Sequence, residues 1–411
     1  MTEWNRVRFD TLASNEKWSC SIGPFGSKVT TRDYQEHGIP FIRGNNLARG
    51  IFLDDDFVYI SEEKATEVES AAVKSGDLVF TRKGTVGQVS MIPRRSKHHR
   101  YVISGSQVKV RLDERRAVPE FYYYWFKSEA GQQSILAHAV TTGVPSLANS
   151  LASIRGLSVP NPPLTEQTSI AAVLGALDDK IAINERIATT KEALLTCLFD
   201  QLNMVSDYQP NQGVPATEFV EFNPRTPRPS TSEAVYVDMA ALSTDRAAIQ
   251  SWTYREPKSG TKFMNGDTLL ARITPCLENG KTGYVDFMGD DEIGVGSTEF
   301  IVMRARPGIP KYVSYFLARS RDFREHAIRN MIGSSGRQRV SAADAANFLV
   351  NRPDDQELTA FGEAAEIAFS YMQSLERENR TFAALRDTLL PELMSGRLRV
   401  RDAERTVEDA V

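Results

Sequence analysis

Two kinds of apolar spacing divide the chain. Over residues 1–160, and again over 206–353, apolar residues come in short runs broken by Gly, Pro, Asn or Asp. In the first stretch these runs are "IPFIRGNNL", "DFVYI", "GDLVFTR", "QVSMIP" and "SQVKVRL". Short alternating runs between turn residues predict strands, and the aromatic "PEFYYYWFKS" after them predicts a helix, so each stretch reads as mixed α/β within an α+β chain. Over residues 161–205 and 354–397 the period changes to that of a helix. "LTEQTSIAAVLGALDDKIAINERIATTKEALLTCLFDQL" has Gly175 as its only Gly or Pro, and "QELTAFGEAAEIAFSYMQSLERENRTFAALRDTLLPEL" has only Gly362 before Pro391. Each follows a proline-containing linker, "VPNPPL" or "NRPDD", which suits a helix start.

Both helices carry a seam. Steps of 4-3-4-3 through the first select Ile170, Leu174, Leu177, Ile181, Asn184, Ala188, Lys191, Leu195, Leu198 and Leu202. Adding 191 selects Phe361, Ala365, Ala368, Met372, Leu375, Asn379, Phe382, Arg386, Leu389 and Leu393. Nearly all are apolar, which is a coiled-coil pattern, with Asn184 and Asn379 as register-fixing polar positions. A helix of about 39 residues is about 58 Å long, more than a domain of this size needs. The expectation is therefore two long antiparallel helices that bury each other's stripes and separate two globular domains in a pseudo-two-fold arrangement. The plainer alternative is that each helix packs only on its own domain.

The two halves are copies. "GDLVFTRKGTVGQV" at 76–89 and "GDTLLARITPCLENGKTGYV" at 266–285 both open Gly-Asp, place an Arg six residues later and return to Gly-x-x-Gly-x-Val; their offset is 190. "VPEFYYYWFKS" and "IPKYVSYFLAR" are offset by 191, and Gly143 in "TTGVPSLANS" and Gly336 in "GSSGRQRVSA" by 193. Several matches in one order at one period mean two homologous domains rather than a solenoid. The predicted organisation is a domain over 1–160, a helix over 161–205, a second domain over 206–353, a second helix over 354–397 and a solvated tail over 398–411.

Charge follows the same division. The net charge of −4 separates into +4 over 1–160, −3 over 161–203, +1 over 204–353 and −6 over 354–411. The globular stretches are thus neutral to basic, and the whole-chain sum hides it. The three cysteines are far apart and fit neither a disulfide framework nor a zinc pattern. No apolar run approaches the ~18 residues of a membrane span, and the N-terminus lacks a signal-peptide core, so a cytoplasmic location is expected.

Two like domains on a rigid spacer suit duplex DNA, whose grooves repeat about every 34–36 Å. "PRRSKHHR" concentrates Arg94, Arg95, Lys97 and Arg100 in one loop, enough to neutralise several phosphates. "FIRGNNLARG" offers Arg43, Asn45, Asn46 and Arg49, and Asn suits the adenine edge. The repeated motif supplies Arg82 and Lys83 in one copy and Arg272, Thr274 and Lys281 in the other. "TTGVPS", with Thr142 and Ser146, and "GSSGRQR", with Ser334, Ser335, Arg337 and Gln338, occupy matching places and are small enough to approach a DNA backbone. The plainer alternative for "PRRSKHHR" is a solvated hairpin tip. Catalytic patterns are missing: "NPPL" has Leu164 where adenine methyltransferases carry an aromatic, there is no phosphate loop, the histidines lack metal-ligand spacing, and "PDDQEL" reads as acidic helix N-terminal residues. No catalytic, cofactor or metal site is assigned. The alternative is a stand-alone DNA methyltransferase or nuclease whose site goes unrecognised.

The order domain–helix–domain–helix, with "GDLVFTRKGTVGQV", "GDTLLARI", "VPNPPLTEQTSIAAVLGALDDKIAINERI" and "LRDTLLPELMSGRLRV", resembles the DNA-specificity subunits of type I restriction–modification enzymes. The resemblance covers the whole chain. It implies two target recognition domains reading a bipartite, asymmetric site on double-stranded DNA, and a subunit with no catalysis of its own. It further implies that the helices dock two methyltransferase (modification) subunits and that restriction/translocase subunits can join. S-adenosylmethionine, ATP and Mg²⁺ would then sit on those partners. "SSGRQRVSAAD" departs from "TTGVPSLANS", which leaves contacts of the second loop less defined.

Overall fold

The computed structural model describes residues 4–205 and 213–409, except 27, 142, 290 and 335. The chain divides into two units, Met1–Ile181 with Arg380–Val411, and Ala182–Asn379. Each contains two four-stranded sheets, and the two units are built to one plan. In the first, one sheet runs in the order Cys20–Ile22, Gln107–Val110, Leu78–Thr81, Val89–Met91, and the other Val58–Ile60, Ile39–Ile42, Tyr101–Ile103, Ala72–Val73. In the second, the corresponding orders are Val220–Phe222, Phe300–Ala305, Thr268–Ala271, Thr282–Tyr284, and Thr253–Arg255, Ala234–Val237, Gly294–Gly296, Thr261–Phe263. Counted along the chain, both units give 1-8-5-6 and 3-2-7-4. Both also make the 2–7 pair parallel, Phe41 opposite Val102 in one and Tyr236 opposite Val295 in the other. A shared topology with a shared parallel pair is strong structural support for the duplication.

The repeated Gly-Asp is a turn with an anchor. Gly76 and Gly266 sit at φ +85° and +90°, which costs a Cβ-bearing residue strain and glycine nothing. The next residue folds its carboxylate back over the turn: Asp77 Oδ2 accepts from the Lys74 N–H at 3.0 Å, and Asp267 Oδ2 from the Met264 N–H at 2.9 Å. Both carboxylates are buried, and each is gripped by two nitrogens of an arginine from the neighbouring strand or its end. Arg111 meets Asp77 at 2.7 and 2.7 Å, and Arg304 meets Asp267 at 2.6 and 2.7 Å. The bidentate fork satisfies a buried charge that would otherwise be strongly unfavourable.

The long helices run over Leu164–Gln201 and Asp355–Met394. The first starts where Gln167, fully buried, donates to the Pro162 carbonyl at 2.8 Å and accepts from the Val118 N–H at 2.8 Å. That ties the "NPP" linker to the aromatic helix Pro119–Lys127, whose Tyr122 hydroxyl donates to the Pro160 carbonyl at 3.0 Å. The second is capped by Asp354, whose Oδ1 accepts from the Gln356 and Glu357 N–H groups at 2.8 and 3.2 Å. Pro391 lies inside this helix near its end.

Each helix contributes to both units, and in each unit its stripe packs against the other helix, as expected, and also against that unit's own domain. In the first unit Ile170, Leu174 and Leu177 join Phe382, Leu389 and Leu393 and the aromatic residues Phe121, Tyr124 and Trp125 in one core. In the second, Leu195, Phe199 and Leu202 join Phe361, Ala365 and Ala368 with Tyr315 and Phe316. The reason is the aromatic helix of each domain, which presents apolar bulk to the seam and merges helix–helix and helix–domain burial. Of the remaining seam positions, Ile181, Leu198 and Met372 are half-buried. The segment expected to be a solvated tail instead forms a helix over Val400–Glu408. Ala403 is buried in the first core and Leu398, Val400 and Val407 pack against it, a helical apolar spacing that the charges of "RDAERTVEDAV" obscure.

Candidate nucleic-acid interface

In both units the strand that follows the Gly-Asp turn ends beside the loop that precedes the last helix of the domain. In the first unit the Leu147 N–H donates to the Arg82 carbonyl at 2.9 Å, Lys83 bridges Ser146, and the Gly84 N–H donates to the Pro145 carbonyl at 2.9 Å. In the second the Val340 N–H donates to the Arg272 carbonyl at 3.0 Å, Ile273 bridges Arg339, and the Thr274 N–H donates to the Gln338 carbonyl at 3.1 Å. The pattern equates Arg82 with Arg272, Lys83 with Ile273, Gly84 with Thr274, and Val144–Pro145–Ser146 with Arg337–Gln338–Arg339. Two segments singled out separately in the sequence are thereby brought together, once per unit, as a small backbone-paired platform.

Its two versions differ in chemistry. Arg82 Nε donates to the Gly105 carbonyl at 2.9 Å and Nη1 to Ser150 Oγ at 3.4 Å, while Lys83 is exposed. Val144 beside it is 60% exposed. Arg272 Nε is buried with no hydrogen-bond partner among the described residues. Arg339 grips Glu299 through Nη2 at 2.8 Å and Nε at 2.9 Å, which holds that carboxyl below the usual range. Arg337 and Ser334 are exposed and Gln338 is half-buried. Thr274 is nearly buried, its Oγ1 accepting from the Gln338 N–H at 3.2 Å. Lys281 is tied down, Nζ donating to the Met239 carbonyl at 2.7 Å. Thr142 and Ser335 lie outside the described residues, as does the side chain of Arg49.

The basic loop at 93–100 is more neutral than its composition suggests. Arg94 donates from Nε to Glu120 at 2.6 Å and from Nη1 to Glu114 at 2.9 Å, and these carboxylates raise its already high pKa. Lys97 Nζ lies 3.5 Å from Asp55, and Arg100 pairs with Glu69. His98 packs edge-on against Tyr101, with ring centroids 5.5 Å apart, so the loop is pinned to the sheet. Arg95 is exposed and has no ion pair among the described residues. Asn45 is exposed, whereas Asn46 is buried, accepting from the Arg43 N–H at 2.9 Å and donating to the Asp55 carbonyl at 2.9 Å. Arg43 is half-buried, with Nη2 reaching the Asp56 carbonyl at 3.5 Å.

One neighbourhood escaped the sequence reading. Beside Arg82, a groove of about 540 Å³ is lined by Phe25, Leu147, Asn149, Ser150 and Arg155. Phe25 is 65% exposed. A large ring left in water is the signal, and it is visible only once the loop's burial is known. Among the described residues no group of three or more His, Cys, Asp or Glu could hold a metal ion, and no helix is long and apolar enough to cross a membrane.

Residues 25–191 match the type I restriction modification DNA specificity domain. The specificity subunit of the type I restriction enzyme EcoAI of Escherichia coli is 31% identical over 168 residues, 39% of this chain and 27% of that protein. The EcoEI specificity subunit, also of Escherichia coli, is 28% identical over 275 residues, 62% of this chain and 44% of that one. The matches thus span less than half the length of either curated relative. In fold, the type I restriction–modification S subunit from M. genitalium aligns with 95% of this chain and 96% of its own at a TM-score of 0.55 and 14% identity. By sequence over residues 25–191, and by fold over nearly its whole length, the chain is similar to specificity subunits of type I restriction–modification systems.

Proposed function

We propose that this chain is the DNA sequence-recognition subunit of a type I restriction–modification complex and is not itself catalytic. Each unit reads one short segment, so the target is bipartite and, because the two platforms differ, asymmetric. The single observation that carries this is the repetition of one topology and one backbone-paired platform under diverged side chains. A domain matched to DNA specificity in the first unit, repeated in the second, supports two readings by one chain.

Methyltransferase subunits dock on the helices. Support comes from exposed apolar side chains on both helices of the second unit: Ile183 at 44%, Leu194 at 60%, Ile367 at 72% and Tyr371 at 44%. Lys191 Nζ lies 4.8 Å from the Tyr371 ring centroid, which places the two helix faces side by side. Apolar residues left in water in a row mark an interaction surface. Methyl transfer from S-adenosylmethionine, and ATP- and Mg²⁺-dependent cleavage where restriction subunits join, belong to the partners.

The test is selection by the full chain, alone and with co-expressed methyltransferase subunits, from a pool of random duplexes. The expected outcome is enrichment of two short defined segments separated by a fixed unspecified gap, with retention falling steeply as salt rises. No enrichment under either condition overturns the proposal. Leu194→Asp with Ile367→Asp is expected to abolish co-purification of the methyltransferase subunits.

A further inference from the structure

We infer that the residue pair at the tip of each platform, Val144–Pro145 in the first unit and Arg337–Gln338 in the second, sets which base each unit accepts. The inference rests on the DNA-recognition reading above and adds the residues that distinguish one half-site from the other.

Three observations carry it. The positions are equivalent by hydrogen bonding, since Pro145 and Gln338 supply the carbonyls that accept from Gly84 and Thr274 at 2.9 and 3.1 Å. Each platform hangs from a matched element, the Arg82 or Arg272 carbonyl at the end of a strand whose start is fixed by the buried Asp77–Arg111 or Asp267–Arg304 pair, so the scaffold is constant while the tip varies. Finally, the varying side chains are available: Val144 and Arg337 are exposed, whereas the neighbouring Arg339 is spent on Glu299.

The chemistries differ in kind. Arg337 and Gln338 offer N–H donors, which match guanine O6/N7 and the adenine N6/N7 edge. Val144 offers only methyl groups, which match the C5 methyl of thymine and meet no acceptor. The first half-site is therefore expected to hold an A·T pair at this position, and the second a purine read in the major groove.

Arg337→Ala, Gln338→Ala and Val144→Arg in the full chain, each put through the random-duplex selection, test this. All three sites lie at a loop tip, and thermal unfolding of each variant checks that the fold is kept. Arg337→Ala or Gln338→Ala is expected to lower base discrimination at one position of one segment by about 10- to 100-fold, leaving the other segment unchanged. Val144→Arg is expected to shift one position of the other segment towards guanine. Normally folded variants that keep the full wild-type motif overturn this assignment, as does an even loss of affinity across all sequences with a shallower salt slope, the mark of a phosphate contact. A wild-type chain that selects no motif overturns the DNA-recognition reading instead, so the two failures are distinct.

Discussion

Asn184 donates from Nδ2 to Asn379 Oδ1 at 2.9 Å, and both side chains are buried in an otherwise largely apolar helix seam. Asn184 Nδ2 also donates to the Glu378 carboxylate. In the same unit Phe199 meets Phe361 with ring centroids 5.6 Å apart, so residues later in the first helix face residues earlier in the second, and the helices run antiparallel here. A buried amide pair in a seam selects register, because any slip opposes an amide to a methyl group. Replacing either Asn by Leu is expected to cost about 1–3 kcal/mol, since one buried amide then loses its partner. Replacing both is expected to restore most of that loss, because no buried amide is then left unpaired and only the half-buried Glu378 gives up a donor. Urea denaturation of the two single variants and the double one measures the coupling, and additive losses contradict it.

The Asn pair also shows what the sequence makes legible. Its positions fall out of a 4-3-4-3 count offset by 191, because a heptad is a local, periodic constraint. The Gly-Asp turn is equally local, and its recurrence signals the duplication. What the aspartate does is not local: Arg111 lies 34 residues on and Arg304 37, and only strand pairing brings them close. The same distance effect governs the basic loop, where Glu114 and Glu120 neutralise Arg94 from beyond the next strands. Val400–Glu408 was obscured differently, by charges that outnumber the few apolar residues on its buried face.

The matched ion pairs give a prediction in duplicate. Asp77 is 1% exposed and Asp267 fully buried, so neutralising either removes the buried carboxylate that its arginine grips, although Arg111 keeps Glu16 at 2.7 Å and Arg304 keeps the Thr226 hydroxyl at 3.1 Å. Asp77→Asn and Asp267→Asn are each expected to cost about 3–5 kcal/mol. Urea denaturation followed by circular dichroism checks both. A loss below about 1 kcal/mol means that the arginine is compensated without the aspartate, by Glu16 in the case of Arg111 or by water.

Glu192 links the first long helix to the second domain. Its Oε2 accepts from the Ala247 N–H at 2.9 Å and its Oε1 from the Tyr315 hydroxyl. Burial pushes the Glu192 carboxyl up, and burial holds the Tyr315 hydroxyl well above its ordinary range, so the tyrosine stays a donor. Tyr315→Phe is expected to cost about 1.5–3 kcal/mol, the loss of a bond to a charged acceptor. Glu192→Gln acts differently with pH. A raised folded pKa favours folding most below the ordinary carboxylate value, and that contribution is lost as pH rises through the raised one. The glutamine variant should therefore gain on the wild type in melting temperature between about pH 4 and neutrality. A constant difference across that range would assign no proton linkage to this group.

Lys109 offers the sharpest comparison, because the duplication supplies its control. It is 2% exposed and lies opposite Val79, and the matching pair in the second unit is Leu269 with Val302. One copy thus buries an ammonium where the other buries an isopropyl group. The Lys109 ammonium donates to the Ala72 carbonyl, but burial depresses its pKa to about 8. Below pH 8 both folded and unfolded chains hold the proton and the burial cost is present in full. Between about 8 and 10.5 the unfolded chain still binds a proton that the folded chain has shed, so stability rises with pH across that window. Lys109→Met, which fills the stem's volume without the charge, is expected to stabilise the protein at pH 7 by about 1–3 kcal/mol, after allowance for the unpaired Ala72 carbonyl. The advantage should shrink towards pH 10 as the wild type gains. Urea midpoints for both proteins at pH 7 and pH 9.5 decide it: a variant less stable at pH 7 would mean that the hydrogen bond to Ala72 outweighs desolvation, and that the lysine is retained for stability rather than despite it.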